Sequence, residues 1–164
     1  MKNHRFSILI PLLFAACTQT PAVTDNTTES RNKQIVQTYF NEAWNKGHLD
    51  VLDSILSENY INHTPSTPNP PKGPAGLKPI ILAIRTGFPD LHYEIKDIIV
   101  THDRAVIRVI MTGTQTGTLF DIAPTRKHVE VNQINIEKIE NGKITEHWRV
   151  TDELTMMKQL GVVK

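Results

Sequence analysis

His63 is the second residue of the stretch NHTPSTPNPPKGPAG at positions 62–76, whose prolines and glycines bar a regular element and make it a loop long enough to be functional. An imidazole titrates near neutrality, so His63 could give or take a proton at a cavity mouth, or simply bond a backbone carbonyl in the loop. Asp152 is a second candidate acid/base group. It equally suits the N-cap of a closing helix, because Asp-Glu-Leu leads an apolar helical pattern. Gln133, Asn135 and Trp148 share one face of residues 129–152 if that run is a regular hairpin. Two amides there could orient a carbonyl or enolate oxygen while the indole forms an apolar wall. Trp44 and Tyr60 read as core at one edge and pocket wall at the other. Regular alternation puts Arg149 and His147 on the opposite face, where His147 reads as structural; a bulge after Trp148 would bring Arg149 round to Asn135. The chain has no HExxH, no phosphate loop and no GxSxG elbow, and His102 and His128 stand alone beside polar turns. Neither a metal nor an organic cofactor is expected.

These side chains need a frame. VEVNQINIEKIENGKITEHWRVTD reads as two strands joined by Asn141-Gly142, a pair that tolerates the positive φ of a type I′ turn. Without a bulge, Ile139 faces Ile144, Glu137 faces Glu146, Asn135 faces Trp148 and Gln133 faces Val150. Earlier, Ile35, Val36, Tyr39, Phe40, Ala43 and Trp44 recur at helical spacing over 31–46, with Ser30 as N-cap and Gly47 as the stop. A short helix at 50–56 follows. After the proline-rich loop, Leu77, Ile80, Ile81, Ile84 and Phe88 mark a helix over about 76–87, into which Pro79 fits only in the first turn. Strands are expected at 91–100 and 104–116, a loop at 120–126, and a closing helix after Asp152 aligning Leu154, Met157 and Leu160. Helices first, then antiparallel strands, give an α+β domain over 31–164 with no internal repeat.

The 164 residues hold 39% hydrophobic and 21% charged residues, enough for one domain with a real core. Eighteen basic against seventeen acidic residues, with no Lys/Arg stripe, argue against a nucleic-acid partner. MKNHRFSILIPLLFAAC, residues 1–17, has Lys2 and Arg5, an apolar run and small residues, the pattern of a secretory signal. Its Phe-Ala-Ala-Cys ending resembles the bacterial lipobox, with Phe14 in place of the commoner leucine. Cys17 is the only cysteine, so no internal disulfide can form, and lipidation accounts for both the lone thiol and its position. The other reading is an ordinary signal peptide with an incidental cysteine. Residues 18–30, TQTPAVTDNTTES, read as a polar tether. Thr18, not aspartate, follows Cys17, which favours the outer membrane, facing the periplasm.

Seven segments carry a wider likeness: Ala43-Trp44-Asn45-Lys46-Gly47, Tyr60-Ile61-Asn62-His63, Gly87-Phe88-Pro89-Asp90, Gly113-Thr114-Gln115-Thr116-Gly117, Ile139-Glu140-Asn141-Gly142-Lys143-Ile144, Glu146-His147-Trp148 and Gln159-Leu160-Gly161. In this order, over about 33–161, they resemble the SnoaL-like polyketide cyclase family of the nuclear transport factor 2-like superfamily. The resemblance implies a cone, a curved and mainly antiparallel sheet closed by the N-terminal helices around a pocket. It also implies an aldol-type closure without metal or organic cofactor, served by a carboxylate near the end of the last strand. The position resembling that carboxylate holds Arg149, and the family histidine falls at Asn135. Guanidinium and amide groups are not acid/base catalysts at neutral pH. The EHW pattern looks closer to relatives labelled ester cyclases.

The expectation is a cavity for a small organic molecule in which His63 and Asp152 move protons and Gln133 and Asn135 steady negative charge, as in cyclisation or isomerisation of a carbonyl compound. Two other readings are a carrier using the same cavity and an interaction module that forms a homodimer through the outer sheet face. Anchorage has its own check: Cys17→Ser protein should leave the membrane fraction, and a variant that still sediments with membranes would rule out the lipid.

Overall fold

The computed structural model describes residues 26–164. The expected signal segment at 1–17, the lipidation site Cys17 and the tether as far as residue 25 lie outside the described residues. The last part of the expected tether is helical: α1 spans Asn26–Thr38, five residues ahead of the expected start. The helix then widens into a π-helical stretch, Tyr39–Asn45, which buries Tyr39, Phe40, Ala43 and Trp44. Gly47, at φ 74°, ends it as expected. Arg85 secures that end by donating to the carbonyl oxygens of Trp44 (2.8 Å) and Asn45 (2.7 Å).

Next come α2 (Val51–Ile55), β1 (Leu56–Asn62), α3 (Pro74–Gly87), β2 (His92–Val100), β3 (Arg104–Thr114), β4 (His128–Glu140), β5 (Lys143–Thr151) and α4 (Glu153–Leu160). The five strands form one sheet in the order β1-β5-β4-β3-β2, antiparallel except for β1 against β5. β1 had no signal of its own, because its exposure does not alternate cleanly and its pairing partner lies over eighty residues away. Pro79 sits in the second turn of α3, not the first, since the helix begins at Pro74. In α4, Leu160 is buried but Leu154 is exposed, so the expected Leu154, Met157, Leu160 line is not the packed face.

The β4–β5 hairpin turns at Asn141 (φ 53°) and Gly142 (φ 76°), as the type I′ reading requires. Its register departs from the expectation after one inward pair. Ile139 faces Ile144, but Lys138 then faces Glu146, so Thr145 is an extra residue on β5. Its hydroxyl donates to the Lys138 carbonyl oxygen at 3.3 Å. Beyond it the pairs are Glu137 with His147, Ile136 with Trp148, Asn135 with Arg149, Ile134 with Val150 and Gln133 with Thr151. Every β5 side chain after the bulge is therefore on the face opposite to that of an unbulged strand. His147 and Arg149 turn inward, and Trp148 turns outward.

The concave face packs Ala105, Ile107, Val109 and Met111 of β3 and Val129, Val131 and Ile139 of β4 against the aromatic residues of the first helix. A loop at 115–127 closes one end, organised by the fully buried Gln115. Its amide nitrogen donates to the carbonyls of Ile122 (3.2 Å) and Ala123 (3.1 Å), and its oxygen accepts from the Thr125 hydroxyl at 2.7 Å. Gly117 ties this loop to the end of α3 through its N–H to the Gly87 carbonyl at 3.1 Å. A Cβ on Gly117 would collide with the Thr86 carbonyl oxygen, which is backbone and cannot swing aside. Gly117→Ala should cost about 1–3 kcal/mol in chemical denaturation, the usual range for overpacking; an unchanged midpoint would show that the loop gives way freely.

Candidate functional site

A cavity of about 410 Å³ opens between the sheet, the end of the first helix, the proline-rich loop and α4. Its wall is mostly apolar: Trp44, Phe88, Tyr93 and Ile84 on one side, Met111, Met156 and Met157 on another, and Leu119, Phe120 and Ile122 from the loop held by Gln115. Met156 and Met157 arrive on α4, which is pinned over β4 by a two-way amide clasp. The Glu130 N–H donates to Gln159 (2.9 Å), and Gln159 donates back to the Glu130 carbonyl (3.1 Å).

Into this wall the bulge at Thr145 delivers Arg149, the one cation lining the cavity among the described residues. The proline-rich loop holds it in place. The Arg149 N–H donates to the Thr64 hydroxyl at 2.8 Å, Nη2 donates to the Ser66 hydroxyl at 3.2 Å, and the His63 N–H donates to the His147 carbonyl at 2.9 Å. Gln133 lines the cavity beside Thr151, and its Nε2 reaches the Met111 sulfur at 3.8 Å. The Trp44 Nε1–H and the Thr151 hydroxyl are buried without a partner. Burial pushes the Tyr93 phenol above its ordinary range, and Arg149 and Gln133 oppose that rise. Arginine, indole N–H and amide N–H supply donors to the wall, and the hydroxyls, the Gln133 oxygen and the Glu153 carboxylate supply acceptors. An oxygen-bearing guest suits it.

Beneath Arg149 the interior stays polar. Asn135, its cross-strand neighbour, is 2% exposed, and its Nδ2 has no partner. One step deeper, His147 Nδ1 lies 2.7 Å from Oε1 of Glu137, whose other oxygen is unpartnered and which is 0% exposed. Burial raises the Glu137 carboxyl above the usual range, and His147 pulls it back. The Tyr39 and Tyr60 phenols are driven far upward, by burial first, with Glu137 adding to the rise and Arg149 opposing it.

Of the residues singled out in the sequence, Trp44, Gln133 and Arg149 meet at the cavity. Tyr60 and Asn135 are interior but do not border it. His63 is a correction. Its ring stacks on Trp148 with centroids 4.5 Å apart and planes at 6°, and Nε2 lies 2.8 Å from Glu146 Oε2, all on the outer face. Trp148 is corrected with it, because the bulge turns the indole to the outer face, where the Arg104 guanidinium sits 5.6 Å from its ring. Asp152 is the third. Its carboxylate accepts from the Thr155 N–H at 3.0 Å as the N-cap of α4, and those Thr155 bonds hold its carboxyl below the usual range. His147, expected outside, is inside. The sequence did carry a sign of Glu137, in the strict alternation Val129, Val131, Gln133, Asn135, Glu137, Ile139, but its partner depends on the bulge. Tyr93, Glu153 and the methionines had no motif to mark them.

A family model described as SnoaL-like polyketide cyclase matches residues 34–160. Nogalonic acid methyl ester cyclase from Streptomyces nogalater is 22% identical over 121 residues, covering 73% of this chain and 90% of that protein. Among solved structures, TsrD from Streptomyces laurentii superposes with a TM-score of 0.74 at 28% identity, covering 82% of this chain and 97% of its own. IdmH from Streptomyces antibioticus gives a TM-score of 0.68 at 26% identity, over 79% and 97% of the two chains.

Proposed function

This chain belongs to the SnoaL-like polyketide cyclase family, and from there we propose that its cavity holds one small, largely apolar organic molecule whose carbonyl or enolate oxygen meets Arg149. The supporting observation is a single guanidinium set into an apolar wall by the strand bulge. In surroundings of low dielectric such a group favours the state in which oxygen carries negative charge. Gln133 beside it adds an amide donor, and Asn135 lies just beneath. That arrangement suits cofactor-free cyclisation or isomerisation of a carbonyl compound. A C–H bond next to the carbonyl gives up its proton, and the electron pair moves onto the oxygen that Arg149 holds. Glu153 is the carboxylate bordering the cavity, so it is the group placed to receive that proton. His63 and Asp152 take no part, for the geometric reasons above.

Carriage of the same guest without chemistry uses the same contacts, so Arg149 is the residue to test. With phenylbutanoate as probe, Arg149→Gln should weaken binding roughly 10- to 100-fold, the span of a hydrogen bond to a charged group. Equal affinities in calorimetry would remove Arg149 from the site.

The outer face supports a second, compatible proposal. Ile134 and Val150 are cross-strand neighbours at 47% and 75% exposure, flanked by Ile136 beside Trp148 and by Ile99. We propose that two copies pair through this apolar strip. Sedimentation should show a dimer that Val150→Glu splits, and a wild-type protein that stays monomeric at high concentration would end the idea. Anchorage at the outer membrane through Cys17, facing the periplasm, belongs to the same reading and rests on the sequence of residues 1–18.

A further inference from the structure

The Glu137–His147 pair has no part in the chemistry proposed for Arg149, yet both residues are buried. Glu137 is 0% exposed and His147 3%, and they approach to 2.7 Å with the second carboxylate oxygen unpartnered. Native interiors rarely leave a buried carboxylate oxygen without a donor, because the desolvation it suffers is not returned. The Tyr60 hydroxyl and Asn135 Nδ2 are also buried without partners. A half-satisfied cluster of this kind is a poor structural device and a good place to exchange a proton.

Its position links it to the cavity. Asn135–Arg149 and Glu137–His147 are successive inward pairs on the same two strands, so their backbones are about 7 Å apart along the strand. The charges of Glu137 and Arg149 both act on the buried Tyr39 and Tyr60 phenols, in opposite directions. Tyr39 also packs edge-on against Trp44, a wall residue, with ring centroids 6.3 Å apart. The groups facing Glu137 can be named by element. His147 comes from β5, Tyr60 from β1, Tyr39 from the π-helical stretch, and from β3 the uncharged Ala105. Among these only His147 can carry a compensating positive charge. A second negative charge docked at Arg149 cancels that cation's charge and raises the cost of keeping Glu137 ionised in the same interior.

We propose that Glu137 and His147 form the proton-binding pair of the cavity, taking up one proton from solvent when an organic anion docks against Arg149. The proposal rests on the cavity reading above and extends it: the guest class is an amphipathic organic acid, and its binding is coupled to a proton. No covalent step is involved. The anion enters, the pair gains one proton, and the interior keeps its net charge. Burial already favours the neutral Glu137 carboxyl, which is the direction the coupling needs. By linkage, affinity for the anion falls as pH rises across the titration of the pair, up to about tenfold per pH unit for one proton. A neutral guest of the same shape has no such dependence.

The test is calorimetry of the described protein with phenylbutanoate and with its neutral amide, in phosphate and in Tris over a pH series, together with Glu137→Gln. The expected result is a buffer-dependent heat for the anion that approaches one proton taken up. No such dependence is expected for the amide, nor for the anion with Glu137→Gln. Infrared difference spectra of the wild type should show a carboxylic acid or imidazolium band appearing with the anion, a readout that holds even if the variant does not fold. Anion binding with buffer-independent heat at every pH overturns the coupling and leaves the cavity reading intact. So does uptake that persists in Glu137→Gln. Failure of both probes to bind sinks the cavity reading, and the coupling with it.

Discussion

The pairing of β4 with β5 determines what lies inside this protein, and the pairing turns on Thr145. A strand presents alternate side chains to alternate faces, so one extra residue exchanges the two sets for the rest of its length. Here the exchange sends His147, Arg149 and Thr151 to the concave side and Trp148 and Val150 to the convex side. The inward set gives the cavity its cation and the interior its buried Glu137–His147 contact. The outward set gives the sheet its apolar strip and the indole on which His63 stacks. Without the bulge the same sequence would put a tryptophan opposite Asn135 and a cation on the surface.

The bulge is not held by the hairpin alone. The proline-rich loop is sewn to β5 by the Thr64 hydroxyl, the Ser66 hydroxyl and the His63 N–H, and the first two of these bonds fall on Arg149 itself. The loop therefore does two jobs, covering the edge where β1 lies parallel to β5 and fixing the guanidinium in the cavity wall. His63 takes part through its backbone while its ring works on the other side of the sheet. A residue chosen for its imidazole turns out to matter to the cavity mainly as a peptide unit.

Local signals in the sequence carried the first helix, the Asn-Gly turn, the cap at Asp152 and four of the five strands at nearly their observed bounds. Each of these is set by residues close in sequence: apolar spacing, a turn needing positive φ, a carboxylate ahead of a helix. What escaped depends on contacts across the fold. β1 exists because β5 is beside it, and the inward side of β5 depends on where the alternation slips. The ordered motifs resembling known cyclases pointed to the right architecture, and they aligned Asn135 with Arg149 although regular alternation separated the two. The structure brings both into register. The catalytic reading of His63 and Asp152 rests on chemical type, whereas the local pattern at Asp152 already spells an N-cap and nothing local fixes the direction of the His63 ring.

Gln115 fixes one side of the cavity in advance. A side chain with no exposure to water bonds the 115–125 segment at both its nitrogen and its oxygen, so Leu119, Phe120 and Ile122 are held where they stand before anything enters. The conformational freedom of that roof is given up when the chain folds, and docking need not restrict it again. Exchange of one guest for another would then be governed by the mobile thioethers of Met156 and Met157 on the opposite rim, making the chamber stiff on one side and adaptable on the other.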